Sequence, residues 1–444
     1  MGFQQGLSGL NASSKALDAV GNNIANSGTV GFKGARGEFA DVFAASLAGA
    51  GASQIGVGVT LANVAQQFTQ GNITTTNNSL DVAINGGGFF RMSNNGAVSY
   101  TRNGQFQLDK NGYVVNAGGY RLTGYKADYA TDPAGIIVPS TPDDIFIDPS
   151  DLTPKATSTV TVGLNLDSRK EVPTAVFNTA NPLSYNSSTS VTTYDTLGNP
   201  HVFSMYFVKT NNVPAVGASS WNVYASTDGT PITNVNMGMG FGAPMSIEFD
   251  TSGKLVGING AATTAVLPPI SINLDQVVID TGNAQVPPVV MTNDAAPTID
   301  FDFNILSSTQ FGSAFGINQM TQNGFSSGRL AGLSISADGV IQGKYSNGQS
   351  RNMGQIVLAK FNNPNGLLNM GGNQWQETSA SGQPLVGAPG SGSNGVVQAG
   401  SVEESNTDLT AELVNMITQQ RAYQANAQTI KTQDQIMQTL VNLR

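Results

Sequence analysis

The apolar residues of the segment 402–444 recur with the period of a helix that packs against other helices. Val402, Leu409, Met416, Tyr423, Ile430 and Met437 are spaced by seven, and Leu413, Ala427 and Val441 lie on companion positions four residues further on. The segment contains no Gly and no Pro, although the chain has 52 Gly and 19 Pro. Its acidic residues come first and its basic residues follow, which is the order that a helix dipole favours. The pattern predicts one helix from 402 to 444, about 64 Å long, whose apolar face needs partner helices.

The N-terminal segment 1–36 carries a matching apolar pattern. Phe3, Leu7, Leu10, Leu17 and Ile24 follow the same four-and-three spacing. The two ends of the chain are therefore predicted to pair as a coiled coil. Gly2, Gly6, Gly9 and Gly21 make this segment a weak helix, since each costs about 1 kcal/mol relative to Ala. We expect it to become helical only when it packs against neighbours. The alternative is that both helices belong to one ordinary globular domain.

Short β-segments with turn-forming dipeptides dominate the middle of the chain. Residues 37–71 have no clean period and are interpreted as a linker. Residues 72–146 contain four Asn-Gly pairs between apolar runs, which is typical of β-hairpins. Residues 147–300 form a second set of β-segments, in which Val160, Val162, Leu164 and Leu166 alternate with small or polar residues. Residues 301–386 resemble the first set again, because Asp338-Gly339 lies between two apolar runs.

This order predicts a nested architecture. Residues 72–146 and 301–386 form an inner β-domain, 147–300 form an outer domain inserted in it, and 387–401 are a Gly-rich flexible linker. The fold class is multidomain α+β, with terminal helices that pair as a coiled coil and two mainly-β domains.

Composition narrows the possible partners. Only 11% of the residues are charged and the net charge is −9, so no basic run is present to bind nucleic acid. No run of 18 apolar residues predicts membrane insertion, and the N-terminus lacks the basic and apolar regions of a cleavable secretory signal. The absence of Cys excludes disulfides and thiolate metal sites.

Several short motifs suggest enzymes but lack the rest of the required site. Residues 324–328 fit G-x-S-x-G, but the one His of the chain, His201, precedes them. Asp250 and Asp280 begin motifs like those of aspartic proteases, but they lie too close together in the sequence and are interpreted as turns. His201 alone does not make a zinc site and is expected to be a surface residue at a strand end. Trp221 and Trp375 are expected in the domain cores. We therefore predict no catalytic, cofactor or metal site.

Both ends of the chain resemble one protein family. The motifs GLNASSKALDAVGNNIANSGTVGFK and SNTDLTAELVNMITQQRAYQANAQTIKTQDQIMQTLVNLR are similar to the termini of the bacterial flagellar rod and hook proteins. Residues 73–92, 101–125 and 353–367 match as well. The family motif after the first helix corresponds here to Asn26, Thr29, Gly31, Phe32 and Lys33. The insertion, with YDTLGNPHVFSMYFVK, is similar to hook members of the family rather than to rod members.

The resemblance implies a structural protein. Such subunits polymerise into a hollow tube outside the cell, as a universal joint that transmits torque from the motor and rod to the filament. The polymerising surface would include Phe3, Leu7, Leu10, Leu17, Ile24, Leu409, Leu413, Met416, Tyr423, Ile430, Met437 and Val441. Implied partners are copies of the chain, a distal rod protein, a hook-cap scaffolding protein, a hook–filament junction protein and the flagellar type III export apparatus. A distal rod protein and, from another class, a secreted β-rich adhesin are the alternatives.

Overall fold

A computed structural model describes residues 2–42, 56–130, 134–210, 218–229, 232–263, 269–274 and 296–442. The Asp280 motif lies outside the described residues. The elements up to residue 149 are α1 (Gly2–Ala25), β1 (Ala35–Val42), β2 (Gly58–Gln66), β3 (Ile73–Thr75), β4 (Val82–Asn85), β5 (Phe89–Asn94), β6 (Ala97–Thr101), β7 (Phe106–Leu108), β8 (Val114–Asn116), β9 (Arg121–Asp128), β10 (Ile136–Ile137) and β11 (Asp143–Asp144).

The elements of the next part are β12 (Thr159–Asp167), β13 (Ser187–Tyr194), β14 (Pro200–Thr210), β15 (Ser219–Thr227), β16 (Val235–Asn236), β17 (Met245–Phe249), β18 (Leu255–Ile258), β19 (Ala261–Ala262), β20 (Ile270–Asn273), β21 (Thr298–Asn304), β22 (Thr309–Phe311) and β23 (Gly316–Gln322). The last elements are β24 (Leu330–Ile335), β25 (Val340–Tyr345), β26 (Ser350–Ile356), β27 (Leu358–Lys360), β28 (Leu368–Gly371), β29 (Gln374–Gln376), β30 (Leu385–Gly387), β31 (Val396–Ala399), β32 (Ser401–Glu403) and α2 (Leu409–Asn442). Short 3₁₀ turns occur at Pro182–Ser184, Ile232–Asn234 and Pro364–Gly366.

The chain forms two compact units, one of which interrupts the other in sequence. Residues 1–149, 331–344 and 350–444 form the inner unit, and residues 150–330 and 345–349 form the outer unit. The predicted fold class is confirmed: terminal helices, mainly-β units, and one unit inserted in the other. The predicted end of the insertion at residue 300 is wrong, because β21, β22 and β23 all pair with β12 of the outer unit. The return to the inner unit comes after Leu330.

The inner unit is built on one large sheet in which β9, β5, β6 and β29 are successive neighbours. The Asn95-Gly96 turn joins β5 to β6 with both residues at positive φ (50° and 91°), as the dipeptide predicts. Asp338-Gly339 likewise turns between β24 and β25. Aromatic side chains pack edge to face on this sheet, and Trp375 lies among them, 2% exposed, as a core anchor.

The outer unit is a β-sandwich. One sheet runs β16-β20-β21-β12-β22, and the other runs β13-β14-β15-β17-β18-β19. The alternating residues of β12 point into the core between them, together with Phe203, Phe207 and Trp221, which are all fully buried. Trp221 is thus a core anchor too. The Asp250 motif is a tight turn between β17 and β18, in which the Gly253 N–H donates to the Asp250 carbonyl at 3.1 Å.

Both predicted linkers contain regular structure. In 37–71, β1 and β2 form an antiparallel ribbon, and the Val59 N–H of β2 donates to the Ser8 hydroxyl of α1 at 3.3 Å. Residues 43–55 lie outside the described residues. In 387–401, β31 pairs with β4. The glycines of this segment serve tight turns rather than flexibility, since Gly390, Gly392 and Gly400 all have positive φ.

The helices are shorter than their apolar patterns predict. α1 ends at Ala25 rather than 36, where a series of turns through Asn26 and Thr29 begins. α2 begins at Leu409 rather than 402, so its 34 residues span about 51 Å. Val402 is wrongly placed in the helical pattern, because it lies in β32, buried and opposite Thr74 of β3. Asp408 caps the helix by accepting from the N–H groups of Thr410 and Ala411 at 2.8 and 3.2 Å.

Candidate assembly surface on the terminal helices

The two terminal helices pair antiparallel within one chain, through small residues of α1. Cβ atoms placed on Gly2, Gly6 and Gly9 would lie 2.8 to 3.0 Å from the side chains of Gln433, Ile430 and Asn426, respectively. Ser13, Ala16 and Asn23 continue this face and are buried. Hence the glycines that weaken α1 as an isolated helix let α2 approach its backbone. α1 is helical where it packs against α2 of the same chain.

The predicted apolar pattern lies beside this pairing face rather than in it. Leu7 follows Gly6, and Leu413 follows Glu412, so each lies about 100° around its helix from a pairing position. Both residues lie one position after a pairing residue, so both are rotated in the same sense about their own helix. Because the helices run antiparallel, this rotation places Leu7 and Leu413 on the same side of the pair. We call these exposed side chains the apolar ridge and define it by Phe3, Leu7, Leu409, Leu413 and Ile417, which are 44–51% exposed. Phe3 and Leu7 lie near the start of α1 and the other three lie near its end, since Gly2 faces Gln433 and Asn23 contacts Glu412.

The remaining predicted residues divide between the two faces. Leu10, Leu17, Ile24, Met416 and Ile430 are half-buried, and Tyr423 is 38% exposed. Met437 and Val441 are 62% and 72% exposed, because α2 runs on past Gln433, which lies against Gly2 at the start of α1. Met437 and Val441 are therefore not covered by α1 in the single chain.

The family-motif residues form the turn that leads from α1 into the inner sheet. The Thr29 hydroxyl donates to the Asn26 side chain at 3.2 Å, and the N–H of Phe32 donates to the Thr29 carbonyl at 3.2 Å. Gly31 has a φ of 71°, and a Cβ there would lie 2.6 Å from the Asn103 nitrogen. The turn thus requires glycine at this point, both for its φ and for the close approach of the segment around Asn103.

Lys33 ends this turn in a buried ion cluster that we call the buried triad, made of Lys33, Arg102 and Glu403. Its Nζ lies 2.5 Å from Glu403 Oε1 and donates to the Thr69 carbonyl at 2.7 Å. Arg102 Nη1 donates to Glu403 Oε2 at 3.0 Å. Burial lowers the pKa of Lys33 from its ordinary value, against the opposing charge of Glu403, and it lowers that of Arg102 likewise.

A second set of polar contacts braces the start of α2. Asn23 donates to Glu412 Oε1 at 3.3 Å and to the Ala35 carbonyl at 2.9 Å. Asn406 accepts from the Gly34 N–H at 2.8 Å and donates to the Gln67 carbonyl at 2.6 Å. Sequence reasoning missed Asn23, Arg102, Glu403 and Asn406. An acid in the last strand before a helix carries no local signal that it is buried, since its cationic partners are 370 and 301 residues away.

The outer unit contains a titratable cluster, but not on its surface. His201 is 2% exposed rather than at a surface position, because β14 turns it inward. Its Nδ1 lies 2.7 Å from Asp228 Oδ2, and its Nε2 lies 3.5 Å from Asp195 Oδ2. Burial alone would lower its pKa, but the two carboxylates outweigh burial and raise the pKa above 6.5. Ser326 lies in a strand-like segment that leads to β24, without the helix of a nucleophile elbow.

The described part of the chain contains neither a candidate metal site nor a candidate membrane-spanning helix. No group of three or more His, Cys, Asp or Glu residues there is arranged to hold a metal ion. The helices of that part are also not long and apolar enough to cross a membrane.

Four protein-family models match the chain in succession. Residues 3–33 match the flagella basal body rod protein, and residues 83–162 match the flagellar hook protein FlgE/F/G D1 domain. Residues 165–325 match the flagellar basal body protein FlaE D2 domain, and residues 398–443 match the C-terminal model of the flagellar basal body rod FlgEFG proteins. The D2 match ends five residues before the end of the outer unit's long segment at Leu330.

Similar proteins match over their whole length. The chain is 42% identical to the flagellar hook protein FlgE of Escherichia coli (strain K12), covering 100% of both chains. It is 33% identical to the flagellar hook protein FlgE of Borreliella burgdorferi, covering 99% of this chain and 98% of that protein. The crystal structure of the flagellar hook protein FlgE2 of Helicobacter pylori has a similar fold (TM-score 0.50, 15% identity), covering 74% of this chain and 100% of that one.

Proposed function

Because the chain belongs to the flagellar hook protein family, we propose that it is the structural subunit of a tubular flagellar hook. In this role copies of the chain polymerise into a tube that acts as a flexible universal joint and passes torque from the rod to the filament. The activity is mechanical and not enzymatic. The apolar ridge is the observation that carries the proposal.

The ridge explains why a single chain is incomplete. Its side chains are about half exposed although the helices that carry them are already paired. Covering the exposed half of one such side chain is worth about 1 kcal/mol. Five of these on one side of a helix pair favour association, and Met437 and Val441 add exposed apolar surface beyond the start of α1. Helices of neighbouring copies are the partners of matching chemistry.

The same role defines the other partners and the location of the protein. We propose that the tube joins a distal rod protein at one end and a hook–filament junction protein at the other. A hook-cap scaffolding protein holds the growing end, and the flagellar type III apparatus exports the subunits. The assembled protein is then extracellular, between the basal body and the filament.

A charge placed on the ridge tests the proposal. We would express Leu413→Glu in a bacterium that lacks its own hook subunit and examine the cells by electron microscopy for hooks. The expected result is secreted, folded subunit without hooks, because a carboxylate cannot be buried between helices without a partner. Gln428→Glu is the matched control, since it adds the same charge at an exposed polar position of α2. Normal hooks from Leu413→Glu would refute the proposal.

A further inference from the structure

The buried triad lies where the chain passes between the terminal helices and the inner sheet. Lys33 follows α1 and its turn, Glu403 ends the last strand before α2, and Arg102 follows β6 of the sheet. The Glu403 carboxylate also accepts from the Gly71 N–H at 2.9 Å, and its backbone carbonyl accepts from the Gly31 N–H at 2.7 Å. Glu403 thus joins three other segments of the inner unit, at residues 31–33, 71 and 102, to its own strand.

The burial of this cluster argues against a role in stability alone. The side chains of Lys33 and Glu403 are 0% exposed and that of Arg102 is 5% exposed. Two cations face one anion, and Arg102 Nε has no hydrogen-bond partner within the described residues. Apolar side chains of similar volume are often as stabilising as a buried ion cluster of this kind, since they avoid the cost of desolvating charges.

The charged groups of the triad add hydrogen bonds of fixed direction, which apolar side chains do not supply. Apolar contacts hold two segments together but let them slide and rotate, whereas the two Glu403 oxygens accept along fixed directions from Lys33 and Arg102. We propose that the buried triad is the positioning centre that fixes the angle between the terminal helix pair and the inner sheet. In the hook it carries torsional load from the helices to the outer layers of the tube, an inference that rests on the proposed function.

The experiment replaces the directional hydrogen bonds of the buried triad by apolar packing. The triple variant Lys33→Met, Arg102→Met and Glu403→Met keeps long side chains in the cluster but removes its charges and hydrogen bonds. It would be compared with the unaltered chain in cells tethered by one filament, where the angular fluctuation of a locked motor measures the torsional compliance of the hook. We expect hooks that form but are at least twofold more compliant, with lower swimming speed.

A control and a second variant make each outcome informative. Lys126→Gln with Asp143→Asn removes an exposed ion pair of the same unit, 2.6 Å apart, and is expected to leave the compliance unchanged. Should thermal unfolding show that the triple variant does not fold, Glu403→Asp keeps the charge but shortens its reach, and the same softening is expected. Unchanged compliance in whichever of these variants forms hooks overturns the proposal. Absence of tubes from the unaltered chain would instead refute the proposed function.

Discussion

Replacing Gly6 by Leu is expected to separate α1 from α2. A Cβ at Gly6 would lie 3.0 Å from Ile430 Cγ1 and 3.6 Å from the Asn426 carbonyl, so a branched side chain has no room without moving the helix. Gly21 is the matched control, since a Cβ there would have no atom within 4 Å. Both substitutions replace a helical glycine of the same element by the same residue.

The expected change in the stability of the helix pair differs between the two positions. Replacing a helical Gly by Leu gains up to about 1 kcal/mol of helix propensity. Inserting extra methylenes into a packed contact costs about 1 to 3 kcal/mol. Gly21→Leu should therefore stabilise α1 by nearly 1 kcal/mol, whereas Gly6→Leu should leave the helix pair unchanged to about 2 kcal/mol less stable. The two variants should thus differ by about 1 to 3 kcal/mol.

Amide hydrogen exchange, at a protein concentration low enough to keep the chain monomeric, measures this difference. Protection of the α1 amides should fall in Gly6→Leu relative to Gly21→Leu by about fivefold or more, and circular dichroism should show loss of helix on mild heating. Equal protection in the two variants would show that the small residues of α1 do not set the distance between the helices.

Three further outcomes are expected. Removal of residues 409–444 should leave a folded inner sheet that cannot polymerise, whereas removal from 402 should also unfold the inner unit because it deletes Glu403; equal thermal unfolding of the two truncations would contradict this. Since the pKa of His201 is raised in the folded state, protonated His201 stabilises the outer unit below about pH 6.5, and this contribution is lost as the pH rises through the folded pKa. Denaturant titrations of the outer unit should therefore show a fall in stability over that range that His201→Gln lacks. Trp221→Ala should destabilise the outer unit by about 3 to 5 kcal/mol in the same titration, because it empties the centre of the sandwich; a loss below 1 kcal/mol would place this side chain outside the core.

The hydrophobic pattern of the sequence predicted the type of most elements but not their limits. Strand β12 and the Asn95-Gly96 and Asp338-Gly339 turns follow from local alternation and from glycine's access to positive φ. The pattern that begins at Val402 fails locally, because one apolar residue in a strand fits a helical period by chance. The end of the insertion was misplaced for a related reason, since only strand pairing assigns β21 to β23 to the outer unit: β21 pairs with β20 and β12, and β22 and β23 pair with β12.

What the sequence determined by itself is a local property: which segments are helix or strand, and that both ends carry more apolar surface than one helix pair can cover. Tertiary structure decided which face of α1 meets α2, because the choice depends on how closely two backbones approach and not on hydrophobicity. It also decided that Lys33, Arg102 and Glu403 are one site. Their charges form no pattern along the chain, and only the fold buries them together, where Lys33 and Arg102 both pair with Glu403.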